Sequence, residues 1–369
     1  MSGTTGQVGS VVLAGGGTAG HVSPLLALAD CLRRREPDVR VTALGTAEGL
    51  EARLVPARGY DLEVVPKVPM PRKPSPALLR LPGSLRRAIQ AADDAITAAD
   101  ARVVVGFGGY VSTPAYLAAR RRGIPVVIHE QNARPGLANK LGARFAKHVA
   151  VTFPDTPLRN AVVTGMPLRR EIATLDRKAR RAEALAHFGL DPQWPTVLVT
   201  GGSLGAQRIN EAFRGAVDSL SEAGVQVLHV TGVGKEFAVP SSQAGAPYVV
   251  VPYADRMELA YAAADIVVAR SGANTVCELT AVGLPAAYVP LPIGNGEQSL
   301  NARAVVAAGG GLVVDDAELT TAWIESTLVP LLRDASGLLE MAAAAASVGE
   351  RGGDELLADL VVDAAAGKG

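Results

Sequence analysis

Short apolar runs alternate with mixed stretches along most of the chain, and the runs repeatedly end in glycine. Residues 8–14 read as a buried strand and Gly15-Gly16-Gly17-Thr18-Ala19-Gly20-His21 as a loop. A helix then follows through Leu32, starting near Ser23-Pro24, because proline is accepted in a first helical turn. The same unit returns at residues 103–105, with Gly106-Phe107-Gly108-Gly109-Tyr110 as its loop and a helix to Arg122. It returns again at Thr196–Thr200, where Gly201-Gly202-Ser203-Leu204-Gly205-Ala206 precedes a helix carrying Gln207, Arg208 and Asn210. A fourth copy has a strand at residues 265–269, the turn Arg270-Ser271-Gly272, and a helix ending at Gly283. Continuous rather than alternating apolar runs are what a parallel sheet covered on both faces requires. The pattern predicts an α/β protein with the strand, glycine loop and helix duplicated in both halves.

Further strands are expected at residues 39–44, 125–128, 162–165, 225–231, 248–252 and 313–314. Met166-Pro167-Leu168-Arg169-Arg170-Glu171 opens a new segment, which places a domain boundary after residue 164. Helical, alanine-rich sequence runs from residue 320 to the end, with a break around residues 348–353. The domains expected are 1–164, 165–340 and a helical tail, 341–369. A length of 369 residues suits two domains of the usual size. Two cysteines, Cys31 and Cys277, are too few for a disulfide scaffold, no secretory pattern is evident, and a reducing cytoplasm is expected. No apolar run reaches the roughly 20 residues that cross a bilayer.

Charge changes the picture, because the formal net charge of zero hides a division. Residues 1–164 hold 21 Lys and Arg against 12 Asp and Glu, and the remainder 15 against 24. The halves either meet different partners or attract one another. Residues 66–92 carry six basic side chains (Lys67, Arg72, Lys73, Arg80, Arg86, Arg87), no acidic one, and the apolar Val68, Met70, Leu78, Leu79, Leu81, Leu85 and Ile89 among prolines. This is the composition of a surface for an anionic membrane; the alternative is a proline-rich loop and a helix whose leucines are core.

The candidate chemistry lies in the loops. In an open α/β sheet, ligands bind beyond the carboxyl ends of the strands, which brings Thr18, His21, Tyr110, His129, Glu130 and Asn132 toward one crevice. Gly15, Gly17 and Gly20 also satisfy GxGxxG. Residues 39–44, however, lead into Gly45-Thr46 and not into the acidic residue that would hold an adenosine ribose, although Glu48 lies close, so a dinucleotide is not expected. In the second half, Ser271, Thr275 and Glu278 share a helix face, and a carboxylate there could accept from ribose hydroxyls while phosphate oxygens sit at the helix start. The plainer alternative is a solvated surface Glu278. The five histidines lack paired ligand spacing, so no metal is expected, and neither a P-loop nor a nucleophile elbow is present. A diphosphate leaving group can be stabilised by helix N-termini and Arg169. His21, with an ordinary pKa near 6.5, is then either the base that takes the acceptor proton or a group that orients the acceptor; Glu130 is a second candidate base.

In order, GGGTAGH, GGYVSTP, HEQN, GGSLGA, RSGANTVCE and GNGEQ span nearly the whole chain. The set resembles the MurG family, the undecaprenyldiphospho-muramoylpentapeptide N-acetylglucosaminyltransferases of peptidoglycan synthesis. The resemblance implies a GT-B architecture: two Rossmann-like domains facing across a cleft, with the last helix returning to the first domain. It implies inverting transfer of N-acetylglucosamine from UDP-GlcNAc to the muramoyl 4-hydroxyl of lipid I, giving lipid II and UDP. No cofactor and no nucleic acid would take part, and the enzyme would sit on the cytoplasmic face of the membrane, with cell-wall synthesis and division proteins as candidate partners.

Carried over by position, Glu278 would bind the uridine ribose, Arg169 and Ser203 the diphosphate, the backbone near Tyr253 to Asp255, with Ala254 at its centre, the uracil, and Gln298 the donor sugar or the adjoining phosphate side. Thr18, Gly20 and Asn132 would also lie by the donor, and Gly17, His21, Tyr110 and Asn132 by the acceptor, with His21 and Glu130 at the reaction centre. Arg72, Lys73, Leu78, Leu79, Arg80, Arg86 and Arg87 would meet the membrane. The chain departs from the family pattern at Ala19, Met166, Gln207 and Ser299; Gln207 and Ser299 bear on the phosphate and sugar contacts. A UDP-GlcNAc epimerase of the same architecture and a non-catalytic nucleotide-sugar-binding module are the other classes open.

Overall fold

The computed structural model describes residues 7–68, 77–202, 205–239, 245–293 and 295–367, apart from the side chains of residues 77–80. The chain forms two compact units, Met1–Arg169 with Arg351–Gly369, and Arg170–Glu350.

In the first unit the elements run β1 (Ser10–Gly15), α1 (Ala19–Arg35), β2 (Arg40–Gly45), α2 (Glu51–Ala57), β3 (Asp61–Val64), α3 (Ala77–Ala98), β4 (Val103–Gly108), α4 (Ser112–Arg122), β5 (Val126–Glu130), α5 (Leu137–Gly142), β6 (His148–Val151) and β7 (Ala161–Val163). The sheet is parallel throughout, in the order β3-β2-β1-β4-β5-β6-β7. Its central strands β1, β4 and β5 are buried along their whole length, as continuous apolar runs demand. The order reverses between β1 and β4, so their two glycine loops border one crevice at the carboxyl end of the sheet.

The second unit repeats this with α6 (Arg170–Ala173), α7 (Arg177–Phe188), β8 (Thr196–Thr200), α8 (Gln207–Gly215), α9 (Val217–Glu222), β9 (Gln226–Val230), β10 (Tyr248–Val251), α10 (Met257–Ala263), β11 (Ile266–Ala269), α11 (Ala273–Ala281), β12 (Ala286–Tyr288), α12 (Glu297–Asn301), α13 (Arg303–Ala307) and β13 (Gly311–Val313). Its parallel sheet has the order β10-β9-β8-β11-β12-β13 and reverses between β8 and β11. After α14 (Thr321–Trp323), a π-helical turn, Ile324–Leu328, leads into α15 (Val329–Arg333) and α16 (Ala335–Ser347).

Several expectations are corrected. The unit boundaries fall after Arg169 and Glu350, not after residues 164 and 340. The expected tail is split: α16 packs on α11 within the second unit, and only α17 (Gly353–Ala365) belongs to the first. Leu357, Ala358, Val361 and Ala364 of α17 enter the core formed by Leu25, Leu28 and Leu32 of α1. Arg34 reaches the buried Asp354 at 2.7 Å, while Arg35 to Asp359, also 2.7 Å, is worth little on its own because both side chains are exposed to water.

Helix α1 begins at Ala19, so Pro24 lies inside it; the residue whose carbonyl would meet the ring is Gly20, four positions back. Helix α11 ends at Ala281, and Ser271 precedes its N-cap Gly272 rather than sharing a helix face with Thr275 and Glu278. In the basic segment, Val68 and Ile89 are core, with Leu81 and Leu85 packed against them, so these four follow the core alternative and not the membrane one. Arg86 and Arg87 on α3 are exposed. Leu78, Leu79 and Arg80 lie in the first turn of α3, while Met70, Arg72 and Lys73 fall outside the described residues.

Candidate functional site

The loop after β1 closes on a carboxylate that the sequence reading missed. Glu51, the first residue of α2, is fully buried and accepts hydrogen bonds from the Gly17 N–H at 2.9 Å and from the N–H and hydroxyl of Thr46, both at 2.8 Å. Burial would raise its pKa; those donors outweigh burial and hold the carboxyl below its ordinary range. Glu48, the acidic residue noted beside this loop, is exposed. The flanking glycines of GTAEGLE were the signal available, since they leave room for an inward side chain.

His21 sits in the first turn of α1, with Nδ1 3.2 Å from both the Gly16 carbonyl and the Thr18 hydroxyl. A carbonyl only accepts, so that contact requires the proton on Nδ1 and leaves Nε2 with its lone pair. Gly108, at φ +97°, lies directly before Nε2; a Cβ there would stand 3.1 Å from that nitrogen. Burial lowers the imidazole pKa, opposed by Glu130, the Gly16 carbonyl and Glu51. The ring is therefore held toward its neutral form.

Glu130 ends β5 and is buried. It accepts from the N–H of Asn132 and of Gly136, both at 3.0 Å, and from Asn139 Nδ2 at 2.9 Å. Asn139 is held in turn by the Tyr116 hydroxyl at 2.7 Å. Exposed Tyr110, beyond β4, carries Lys67 over its ring at 5.2 Å. Gly17, Thr18 and Gly20 are exposed and Asn132 is half-buried. The first unit thus gathers Gly17, Thr18, Gly20, His21, Tyr110, Glu130 and Asn132 at the carboxyl ends of β1, β4 and β5. His129 is instead a core residue, donating from Nε2 to the Gly165 carbonyl at 2.9 Å.

In the second unit, β11 delivers Arg270, which binds the Val289 and Pro290 carbonyls and pairs with Asp316, tying the ends of β11 and β12 together. The fully buried Ser271 hydroxyl has no hydrogen-bond partner among the described residues, and it stands beside the N-terminus of α11, which no side chain caps. One oxygen of the half-buried Glu278 accepts from the Tyr261 hydroxyl at 2.7 Å, a second residue that the sequence reading missed. Helix α8 likewise starts without a side-chain cap. It is fixed through Asn210, which donates to the Thr231 carbonyl and accepts from His229 Nε2, each at 3.0 Å.

Gln298 accepts from the Leu291 N–H at 2.9 Å, Gln207 donates to Glu211 at 2.8 Å, and Ala254 is buried beside exposed Tyr253. Arg169 is half-buried and closes the first stretch of unit one, immediately before α6. Ser203 lies outside the described residues. The three residues Cys31, Asp354 and Glu355 lie close enough for a cation, but Arg34 and Arg35 already pair with the carboxylates.

Comparison with known proteins gives this geometry a family setting. A model of the glycosyltransferase family 28 N-terminal domain matches residues 11–151, and one of the C-terminal domain matches residues 196–357. A protein of Streptomyces avermitilis named UDP-N-acetylglucosamine--N-acetylmuramyl-(pentapeptide) pyrophosphoryl-undecaprenol N-acetylglucosamine transferase is 59% identical, over 97% of this chain and 99% of its own. The crystal structure of Acinetobacter baumannii MurG superposes with a TM-score of 0.78 at 30% identity, over 95% of this chain and 99% of that one. A putative UDP-N-acetylglucosamine 2-epimerase from Listeria monocytogenes reaches 0.63 at 16% identity over 94% of each chain, a likeness of fold alone.

The buried histidines generate a pH prediction. Burial lowers His129 to about 4 and His229 to about 3. Unfolded histidine binds a proton below about 6.5, which the folded sites refuse, so stability is complete above that pH and falls as pH drops toward the folded values. His129 alone should cost about 3 kcal/mol by pH 4. Urea midpoints should already fall between pH 6.5 and 5, before most carboxylates titrate; a flat profile there would contradict the assignment.

Proposed function

The chain belongs to glycosyltransferase family 28, and from that premise we propose how its two glycine-loop sites divide one reaction. The protein transfers N-acetylglucosamine from UDP-GlcNAc to the muramoyl 4-hydroxyl of the undecaprenyl-pyrophosphoryl-N-acetylmuramyl-pentapeptide acceptor, giving lipid II and UDP. The observation that carries the division of labour is the contrast between the loops. Neither α1 nor α11 has a side-chain cap, but the turn before α1 already holds a carboxylate, Glu51 on the Gly17 N–H, which repels an anion. An anionic diphosphate is drawn to the second.

The second unit holds the donor. The N–H groups at the start of α11 meet the diphosphate, and Arg169 and Ser203 keep the diphosphate role that the family resemblance gives them. Glu278, oriented by Tyr261, accepts from the ribose. The backbone at Ala254 reads the uracil, and Gln298 meets the sugar. As the bond from the anomeric carbon to the diphosphate oxygen breaks, charge grows on UDP where those donors already point.

The first unit supplies the acceptor side, with Gly17, Tyr110 and Asn132 around the incoming muramoyl group. Nε2 of His21 takes the proton of the 4-hydroxyl while that oxygen attacks the anomeric carbon opposite the departing UDP, inverting the configuration. Glu130 serves by charge rather than as the base: three N–H groups already bind its oxygens, and its field favours the imidazolium that forms.

The acceptor is a membrane lipid, and exposed Arg86 and Arg87 on α3 supply part of an electrostatic contact with an anionic cytoplasmic leaflet. Among the described residues no helix is long and apolar enough to cross a membrane.

UDP should be released only when a short-chain lipid I analogue is present, one per sugar transferred. Glu278→Ala should raise the UDP-GlcNAc KM about tenfold or more. Epimerised UDP-sugar formed without acceptor, or unchanged donor kinetics in that variant, would contradict the reading. For the membrane contact, Arg86→Ser with Arg87→Ser should weaken binding to anionic vesicles by about 2 kcal/mol, roughly thirtyfold. Wild-type protein that ignores such vesicles at low salt would remove it.

A further inference from the structure

We propose that Glu51 is a positioning residue for transfer: its buried carboxylate locks the turn after β1 and, through the Gly16 carbonyl, presents His21 with Nε2 as the proton-accepting nitrogen. The proposal rests on the reading of His21 as the base.

Three observations converge on it. First, the carboxylate has one place to be. A side chain on Gly16, Gly45 or Gly49 would collide with the Glu51 side chain, so glycines from two separate loops are hollowed around this one residue. Second, both of its oxygens are committed, Oε2 to the Gly17 N–H and Oε1 to the N–H and hydroxyl of Thr46. Third, the turn so held is the one that orients the imidazole. The Gly16 carbonyl faces His21 Nδ1 at 3.2 Å, and it is wedged from the other side by Gly109, where a Cβ would come within 2.6 Å of the same oxygen. Rotating that peptide would remove the only carbonyl recorded at Nδ1 among the described residues and release the tautomer.

Charge is the second way Glu51 reaches His21. The ionisable groups that bear on the imidazole are Glu130 from β5 and Glu51 from α2, and both raise its affinity for a proton. Glutamine at position 51 keeps the volume and removes the charge. Its amide nitrogen would turn a donor toward either Gly17 or Thr46, breaking one of the two anchors.

The test compares Glu51→Gln and Glu51→Asp with wild type in the full chain, using UDP-GlcNAc and a short-chain lipid I analogue. Glu51→Gln should lose kcat about 10- to 100-fold, as expected when a reacting group is displaced by a fraction of an ångström to 1 Å. UDP affinity and donor KM should stay within about twofold, because the donor binds the other unit. The acidic limb of its pH–rate profile should move to lower pH, since a negative charge that favoured the imidazolium is gone. Glu51→Asp, which keeps the charge but retracts it, should lose kcat with the acidic limb unmoved. Either folded variant showing kcat within about twofold of wild type, or a raised donor KM at unchanged kcat, overturns the proposal.

Nitrogen NMR of the histidine side chains gives a readout independent of turnover. Wild type should show the Nδ1–H tautomer at His21, and Glu51→Gln should lose it; a tautomer indifferent to residue 51 also overturns the proposal. Wild-type protein with that tautomer but no transfer to the acceptor would instead count against the functional reading.

Discussion

Backbone N–H groups at the start of a helix have no partner within the helix, and each must find an acceptor elsewhere. In a parallel sheet whose order reverses at one point, two such helix starts open onto the same crevice, so their unmet donors become the chemistry of the site. The chain builds this arrangement twice, at β1 with β4 and at β8 with β11. Neither helix start has a side-chain cap, but the turn before α1 holds the protein's own carboxylate, Glu51 on the Gly17 N–H, and the start of α11 is left to a ligand.

From that difference the rest follows in physical order. The internal carboxylate fixes the Gly15–Thr18 turn, the turn's carbonyl fixes a proton on His21 Nδ1, and burial lowers the imidazole's affinity for a second proton. A nitrogen with a lone pair then faces the space that Gly108 leaves open. In the other unit, Arg270 ties the ends of β11 and β12 together and Asn210 ties α8 to His229 of β9. Rigid support behind an uncovered anion site is what early stabilisation of a leaving diphosphate requires.

The sheets were largely legible because buried parallel strands announce themselves as short continuous apolar runs, and β1, β4, β8 and β11 each end in a glycine-bearing turn. That Glu278 lies on a helix was legible, but the face it was expected to share with Ser271 was not, because Ser271 precedes the N-cap of α11. Glu51 and Tyr261 were not, because periodicity carries no information about which loop side chain folds inward or which distant helix donates to a carboxylate. The start of α1 was missed because Pro24 reads as a first-turn residue, whereas the helix already begins at Ala19. The basic segment was half legible. Charge gave exposed Arg86 and Arg87, but hydrophobicity alone does not distinguish a leucine or isoleucine meant for lipid from one packed in the core, as Ile89 is. The split between α16 and α17 follows from packing partners, which composition does not encode.

The central claim is that the two sites are unequal: in the first the Gly17 N–H is held by the protein's own Glu51, and in the second the start of α11 binds the diphosphate. Hydrogen exchange of the full chain with and without UDP tests it at single N–H groups. Exchange should slow on UDP binding at the first turn of α11, while the Gly17 N–H, already donated to Glu51, should exchange slowly in both states. Slowing at Gly17 with no change at α11 would contradict the account.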